Sequence, residues 1–455
     1  MKFVNVLFVV LLYCTHLSAQ VTLPNNLYFT HIGVEDGLCQ NTVCCILQDH
    51  LGFIWLGTKD GLTRYDGYRF RVFKHDAADP MSIGNNFIRV LYEDADGLIW
   101  IGTNVGVYIY NPETENFRKF DVATERGDVI SREVSSIKCD SSGDLWIGVN
   151  WQGVFRYDRR DESLELYEPV PGDTTSLSSV HVWDLCFDGD GNLWVGSQNG
   201  GLDRYDRETD RFVRHRLKGL SDVSRIVLDK QNQLLLGTMK DGLFSFNPYM
   251  GTCQPLLLDS GHKDLFVRAI FVRNSREVVV GTENGIYIYD CVTRKTRHVN
   301  QELGNPYSLS CKAVYSIYCD KEGALWIGTY FGGVNYLPPS SSLIFDKFYP
   351  IGHSDRLSGK AVREFVRDES GIIWIGTEDQ GLNRFDPVSG KFTHYNSRNS
   401  GLSCDNVHGL CVDGDRLYIG TFFGGFNIMD LKTNEIVALG CLLYTSPSPR
   451  DAHES

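Results

Sequence analysis

Two arginines, Arg89 and Arg268, and four aromatic residues, Trp151, Trp183, Tyr315 and Tyr330, are the groups of this chain best suited to recognition chemistry. A guanidinium pairs bidentately with carboxylate or sulfate, and a Trp or Tyr face stacks on a pyranose ring. The combination suits an oligosaccharide, an acidic one in particular. The plainer use of the same residues is structural: an arginine in a channel is often tied to a neighbouring acid, and a loop aromatic often covers the next sheet. Catalytic chemistry is less well supplied. His181 and His408 each open an apolar run and are candidates for a base, yet no two ionisable residues recur at a spacing that brings a base, a partner and charge stabilisation together. No catalytic residue is assigned. His50, His215 and His394 fall in turns or outer strands and read as surface groups. The cysteines form no CxxC pair, so no zinc site is expected, and those in apolar runs such as Leu185-Cys186-Phe187 read as small hydrophobes. The acidic turns at Asp94 and Asp96 and at Asp188 and Asp190 lack the later glutamate of a calcium loop and read as turns. Neither a metal nor a cofactor is expected.

The elements that position these residues follow from an internal repeat. An Asp, a Gly-containing turn, a short apolar run ending in Gly, a few polar residues, Gly-Leu or its equivalent, and an aromatic followed by Asp or Asn recur nine times. The Gly closing the apolar run falls at 57, 102, 148, 196, 237, 281, 328, 376 and 420, with intervals of 41 to 48 residues. That period is the length of a four-stranded propeller blade. In the first copy the strands are expected at Val43 to Gln48 (A), Phe53 to Thr58 (B), Leu62 to Tyr65 (C) and Phe70 to Phe73 (D). Trp55, Trp100, Trp146, Trp194, Trp326 and Trp374 share one place in strand B, which predicts packing between blades. Near the start of strand A, five residues before the turn Asp or its equivalent, a second column varies: Cys44, Arg89, Ser135, Trp183, Ser224, Arg268 and Tyr315. The B-to-C loops, which include Lys59, Trp151, Glu283 and Tyr330, share a face with the start of strand A, and that face is the default recognition surface.

The fold expected is all-β: a seven-bladed propeller over residues 21–340, then the first two blades of a second, incomplete propeller over 341–440. Nine blades in one ring would exceed the usual four to eight or so. The segment Phe29-Thr30-His31-Ile32 resembles a strand D without preceding strands, so it should complete the last blade and close the ring. Pro338-Pro339-Ser340-Ser341-Ser342 marks the seam. Residues 1–19 read as a signal peptide, with a basic start, a short apolar run and cleavage after Ala19, so the chain is expected in the periplasm. Tyr13 before Cys14 argues against a lipid anchor. Residues 441–455 break the repeat and read as a non-native tail on a truncated fragment. The formal charge of −13 carries no basic run, which leaves little for nucleic acid to bind.

Asp36-Gly37-Leu38, followed by Gly52-Phe53-Ile54-Trp55-Leu56-Gly57-Thr58 and Gly61-Leu62-Thr63-Arg64-Tyr65-Asp66-Gly67, resembles the opening of the two-component-regulator propeller family. The resemblance runs over residues 28 to 440. It implies the periplasmic part of a hybrid two-component sensor, in which two propellers and a β-sandwich precede one membrane helix, a histidine kinase, a receiver and a DNA-binding domain. Ligands in this family are typically oligosaccharides, and the output is transcription of glycan-utilisation genes. On that reading the segment is not an enzyme, the full-length protein sits in the inner membrane through a segment missing from this chain, and a homodimer is open to it. The ligand lies on the recognition face, or where two propellers meet. The alternative is a secreted propeller enzyme, a lyase or hydrolase acting on glycans or peptides.

Overall fold

The structure, a computed structural model, describes residues 22–24, 26–217, 220, 222–257, 265–339, 347–350 and 356–439; the expected signal peptide and tail lie outside them. Among the described residues, apart from a single 3-10 turn at Val34–Asp36, the regular elements are strands, arranged as nine four-stranded antiparallel sheets. The chain divides into two compact units close to residue 343.

In the first unit each blade runs A, B, C, D in space as in sequence; in blade one these are Val43–Gln48, Ile54–Thr58, Gly61–Tyr65 and Phe70–Phe73. Blade seven is built from both ends of the unit. Val314–Cys319, Leu325–Thr329 and Val334–Leu337 supply A to C, and Thr30–Ile32 pairs with strand C as the fourth strand, in the register Thr30↔Tyr336, His31↔Asn335 and Ile32↔Val334. Buried Phe29 donates its amide to Tyr307 O at 2.9 Å, and the His31 ring meets Ser308 O at 2.8 Å. The segment after the expected export signal therefore closes the ring, and the sheet edge it covers is no longer open.

The recurring Gly of strand B is explained by the next blade. A Cβ on Gly57 would lie 2.7 Å from Ile88 Cγ2, on Gly102 2.6 Å from Val134 Cγ1, and on Gly237 2.6 Å from Val267 Cγ1. The series continues around the ring until Gly328, where the neighbour is Val43 of blade one at 2.8 to 2.9 Å. Each strand B thus gives up a side chain so that the following strand A can approach. The tryptophan column is anchored as well as packed. Trp55, Trp100, Trp194 and Trp326 donate Nε1 at 2.8 Å to the turn carboxylates of Asp49, Asp94, Asp188 and Asp320, six residues earlier, and Trp146 does so to Asp140 at 3.2 Å. The other oxygen of Asp94 accepts from the amides of Asp96 and Leu98, so these acids are consumed by their own turns and the buried indole. His215 departs from the surface placement expected of it: its ring lies 4.9 Å from Trp194 and 5.7 Å from Phe246, and its Nε2 is buried. The eleven described cysteines are all free thiols.

The second unit holds two more blades, Val362–Arg367, Ile373–Thr377, Leu382–Asp386 and Lys391–Tyr395, then Val407–Asp413, Arg416–Thr421, Gly425–Asp430 and Ile436–Leu439. They share a core that includes Trp374, Leu382, Val407 and Leu417, with Trp374 again bonded to its turn aspartate, Asp368, at 2.8 Å.

Candidate functional site

The seven A strands of the first unit touch in sequence, and the seventh touches the first, so they surround the ring axis. Six of them carry a register shift just after their first residue, between Val43 and Cys45, Ile88 and Val90, Val134 and Ser136, Val182 and Asp184, Val267 and Ala269, and Val314 and Ser316. The residues skipped are Cys44, Arg89, Ser135, Trp183, Arg268 and Tyr315. A bulge breaks the in-out alternation of a strand and re-aims one side chain. The preceding Val or Ile is buried against the strand-B Gly of the previous blade, and the bulged residue turns toward the ring axis. All six, with Ser224 of blade five, line one cavity of about 300 Å³, joined by Glu133, Asn150, Arg225, Met239 and Phe266.

Of the six residues singled out from sequence, Arg89, Trp183, Arg268 and Tyr315 line this cavity. Tyr330 is not among the lining residues; its ring is 5.1 Å from that of Tyr315 and 4.2 Å from Lys59 Nζ. Trp151 stands on the loop beside lining residue Asn150, 66% exposed, edge-on to His181 at 4.1 Å, with a left-handed backbone at φ 70°. His181 also meets Asn150 Oδ1 at 3.2 Å.

Both predicted arginines already have carboxylate partners. Arg89 pairs with Glu133 at 3.1 Å, donates Nε to Asn104 Oδ1 at 2.7 Å, and lies over the Phe87 ring at 4.1 Å. Arg268 pairs with Glu283 and is held between the Phe266 and Tyr315 rings at 4.1 and 4.3 Å. Trp183 stacks on Phe266 at 6.2 Å and 27°. The third guanidinium, Arg225, was not singled out in the sequence. It donates Nε to Arg268 O at 2.7 Å and Nη1 to Ser224 O at 2.8 Å. No carboxylate of a described residue lies within 4 Å of it, and no bond to a described residue uses its Nη2. Burial pulls its guanidinium below the ordinary arginine value, Asp184 opposing this and the charges of Arg268 and Arg89 adding to it. The Cys44 thiol is pushed up by burial to about 11, which keeps it neutral and a poor nucleophile near pH 7.

A closed ring of seven four-stranded blades, with bulged inner strands placing arginine and aromatic side chains around one axial cavity, defines a seven-bladed β-propeller. The family model for the two component regulator propeller matches residues 37–60, 82–105, 176–199 and 308–331, which fall in four of the nine copies of the repeat. Over 59 residues the chain is 39% identical to histidine kinase P4 of Formosa agariphila, a stretch covering 13% of this chain and 4% of that protein. Among solved structures it is similar to the extracellular domain of a hybrid two-component system from B. thetaiotaomicron, with a TM-score of 0.74 and 26% identity, over 91% of this chain and 55% of that domain. A streptogramin B lyase, with a TM-score of 0.51 and 13% identity over 69% of this chain and 97% of its own, shares the fold alone. The chain therefore spans about half the length of the extracellular domain it resembles. Among the described residues no helix is long and apolar enough to cross a membrane.

Proposed function

We propose that this chain is part of the periplasmic ectodomain of a hybrid histidine-kinase sensor, and that its axial cavity recognises an oligosaccharide whose binding leads to transcription of glycan-utilisation genes. The observation that carries this reading is the bulged column. Six of the seven A strands each turn one side chain out of the in-out alternation, and those side chains, four of them Arg, Trp or Tyr, line a single cavity. The strand-B tryptophans and glycines hold blades together in other columns, so packing alone does not call for that variety. Paired aromatics such as Trp183 and Phe266 supply a flat apolar surface, and Asn150, Ser135 and Ser224 supply hydrogen bonds for hydroxyl groups. Matches to the two component regulator propeller model in four repeats and likeness to an extracellular domain support the sensor role.

Calorimetric titration of the chain with a panel of neutral and acidic oligosaccharides tests the reading. Binding with a Kd of about 1 mM or tighter is expected, weakened about tenfold or more by Trp183→Ala. Absence of binding across the panel, or turnover of a saccharide, would overturn it.

A further inference from the structure

The axial cavity is not evenly charged. Three guanidinium groups line it, and two are matched by carboxylates within ion-pair distance, Arg89 by Glu133 and Arg268 by Glu283. Arg225 has no such match. The acid that acts on it most is Asp184, but the oxygens of Asp184 are committed to Ser136 Oγ at 2.9 Å, Leu185 N at 2.9 Å and Ile226 N at 3.0 Å. Two bonds to backbone carbonyls, Arg268 O and Ser224 O, fix the guanidinium plane of Arg225. Its Nη2, on a half-buried side chain that lines the cavity, has no described partner. A desolvated, oriented fork with an unspent donor binds an oxyanion much better than it binds a neutral hydroxyl.

From this arrangement we infer that Arg225, rather than Arg89 or Arg268, is the residue that reads charge, and that the ligand carries its oxyanion, a uronate carboxylate or a sulfate ester, on the sugar that enters the cavity. The inference rests on the saccharide reading above. A cavity of about 300 Å³ is at the small end of ligand sites and is sized for one terminal sugar. Trp183 and Phe266 offer that sugar a ring face, while Arg225 takes the acid group.

The test titrates the full chain with a galacturonic acid tetrasaccharide, its carboxyl-reduced counterpart, a sulfated galactose tetrasaccharide and its desulfated counterpart. One acidic probe is expected to bind at least about tenfold tighter than its own neutral counterpart, with the gap narrowing as salt rises from about 50 to 500 mM. Arg225→Gln should bring the acidic and neutral probes to within about twofold of each other, whatever the change in the affinity of either. Because Arg225 also ties blade five to Arg268, Arg225→Lys and the unfolding midpoints of both variants check the fold. The acid-to-neutral ratio of the unaltered chain stands without any variant. Equal or tighter binding of the neutral probes, or an acid preference that survives Arg225→Gln, overturns the inference and leaves the saccharide sensor standing. If none of the four probes binds, the saccharide reading itself falls, and this inference with it.

Discussion

Glu283 closes on the guanidinium of Arg268 from the first position of the B-to-C loop, fifteen residues later in the chain. The same interval joins Arg89 to Asn104 at 2.7 Å and Tyr315 to Tyr330 at 5.1 Å in the first unit, and Arg363 to Glu378 in the second. The A–B hairpin is the cause. A bulge at the start of strand A turns one residue toward the end of strand B, where the loop residue after Gly-Thr emerges. The pairing is therefore a property of the blade, and the residues chosen for it set the chemistry at the cavity mouth.

If Glu283 serves to neutralise Arg268, Glu283→Gln should release that charge into the cavity at little structural cost. Partly exposed pairs of this kind contribute about 0 to 1 kcal/mol, so the unfolding midpoint should move by only a few degrees. Affinity for an acidic saccharide should rise about three- to tenfold, with neutral saccharides unchanged. Calorimetry on the matched pair reads this directly. A large stability loss instead would show that the pair is structural.

The strand-B glycines make a sharper prediction. A Cβ at Gly102 would meet Val90 Cγ1 at 2.5 Å and Val134 Cγ1 at 2.6 Å, on branched side chains between two blades that have no room to rotate away. Gly102→Ala should cost about 1 to 3 kcal/mol by overpacking, seen as a lower urea midpoint with an unchanged slope. Gly52→Ala, where no atom lies within 4 Å but φ is 95°, should show the smaller penalty of backbone strain alone.

Much of this was legible in the sequence because blades repeat: packing positions keep their residue type, so a column that varies stands out. Counting five residues back from the turn residue recovered seven lining residues, Cys44 to Tyr315, without any coordinates. The same count failed to reveal Arg225. In blade five, strand A is the short, unbulged segment Arg225–Leu228, and the count stops one residue early at Ser224. The partners of the arginines were hidden for a different reason, since Glu133 precedes the A strand of the blade after that of Arg89 and reaches it only once the blades are stacked. Phe87 and Phe266 did leave a trace. Each stands two residues before its arginine in the words Phe87-Ile88-Arg89 and Phe266-Val267-Arg268, the spacing that lets ring and guanidinium share one side of an extended chain. For Trp151 the loop was legible but the direction of the ring was not, because it depends on a left-handed backbone at a residue that is not glycine.

Ring closure by Thr30–Ile32 can be tested by a chain that begins at Gly33. Without that strand, Val334 and Asn335, both fully buried, would stand on an open sheet edge. The thermal midpoint should fall by about 10 °C or more, and the shortened protein should self-associate through the freed edge, as sedimentation would detect. An unchanged midpoint in a monomeric product would rule out a stabilising role for the closing strand.

The last prediction concerns a carboxylate standing where three other blades place an amide, Asn335, Asn383 and Asn427. Asn335 accepts from Ser310 N at 2.8 Å and donates Nδ2 to Ser310 Oγ at 2.9 Å, and Asn383 accepts in the same way from Ser358 N at 2.8 Å. In blade four the residue is Asp203, fully buried, with Oδ2 accepting from Ser178 N at 2.8 Å while Oδ1 finds no partner, like the neighbouring buried hydroxyl of Ser197. Burial raises its carboxyl from 3.8 to about 6, against the smaller opposing effect of Ser178. Between those two values the folded chain holds a proton that the unfolded chain has released, so this residue's contribution to stability falls as pH rises through the window and is constant above it. About two pKa units correspond to about 3 kcal/mol at most. Asp203→Asn supplies the amide of those blades and removes the titration. Urea unfolding of both proteins at pH 4 and pH 7.5 should therefore show the variant close to wild type at the lower pH and about 1 to 3 kcal/mol more stable at the higher. A difference that does not change with pH would mean that Asp203 is ionised in the folded chain throughout, held by a partner that its buried surroundings do not show.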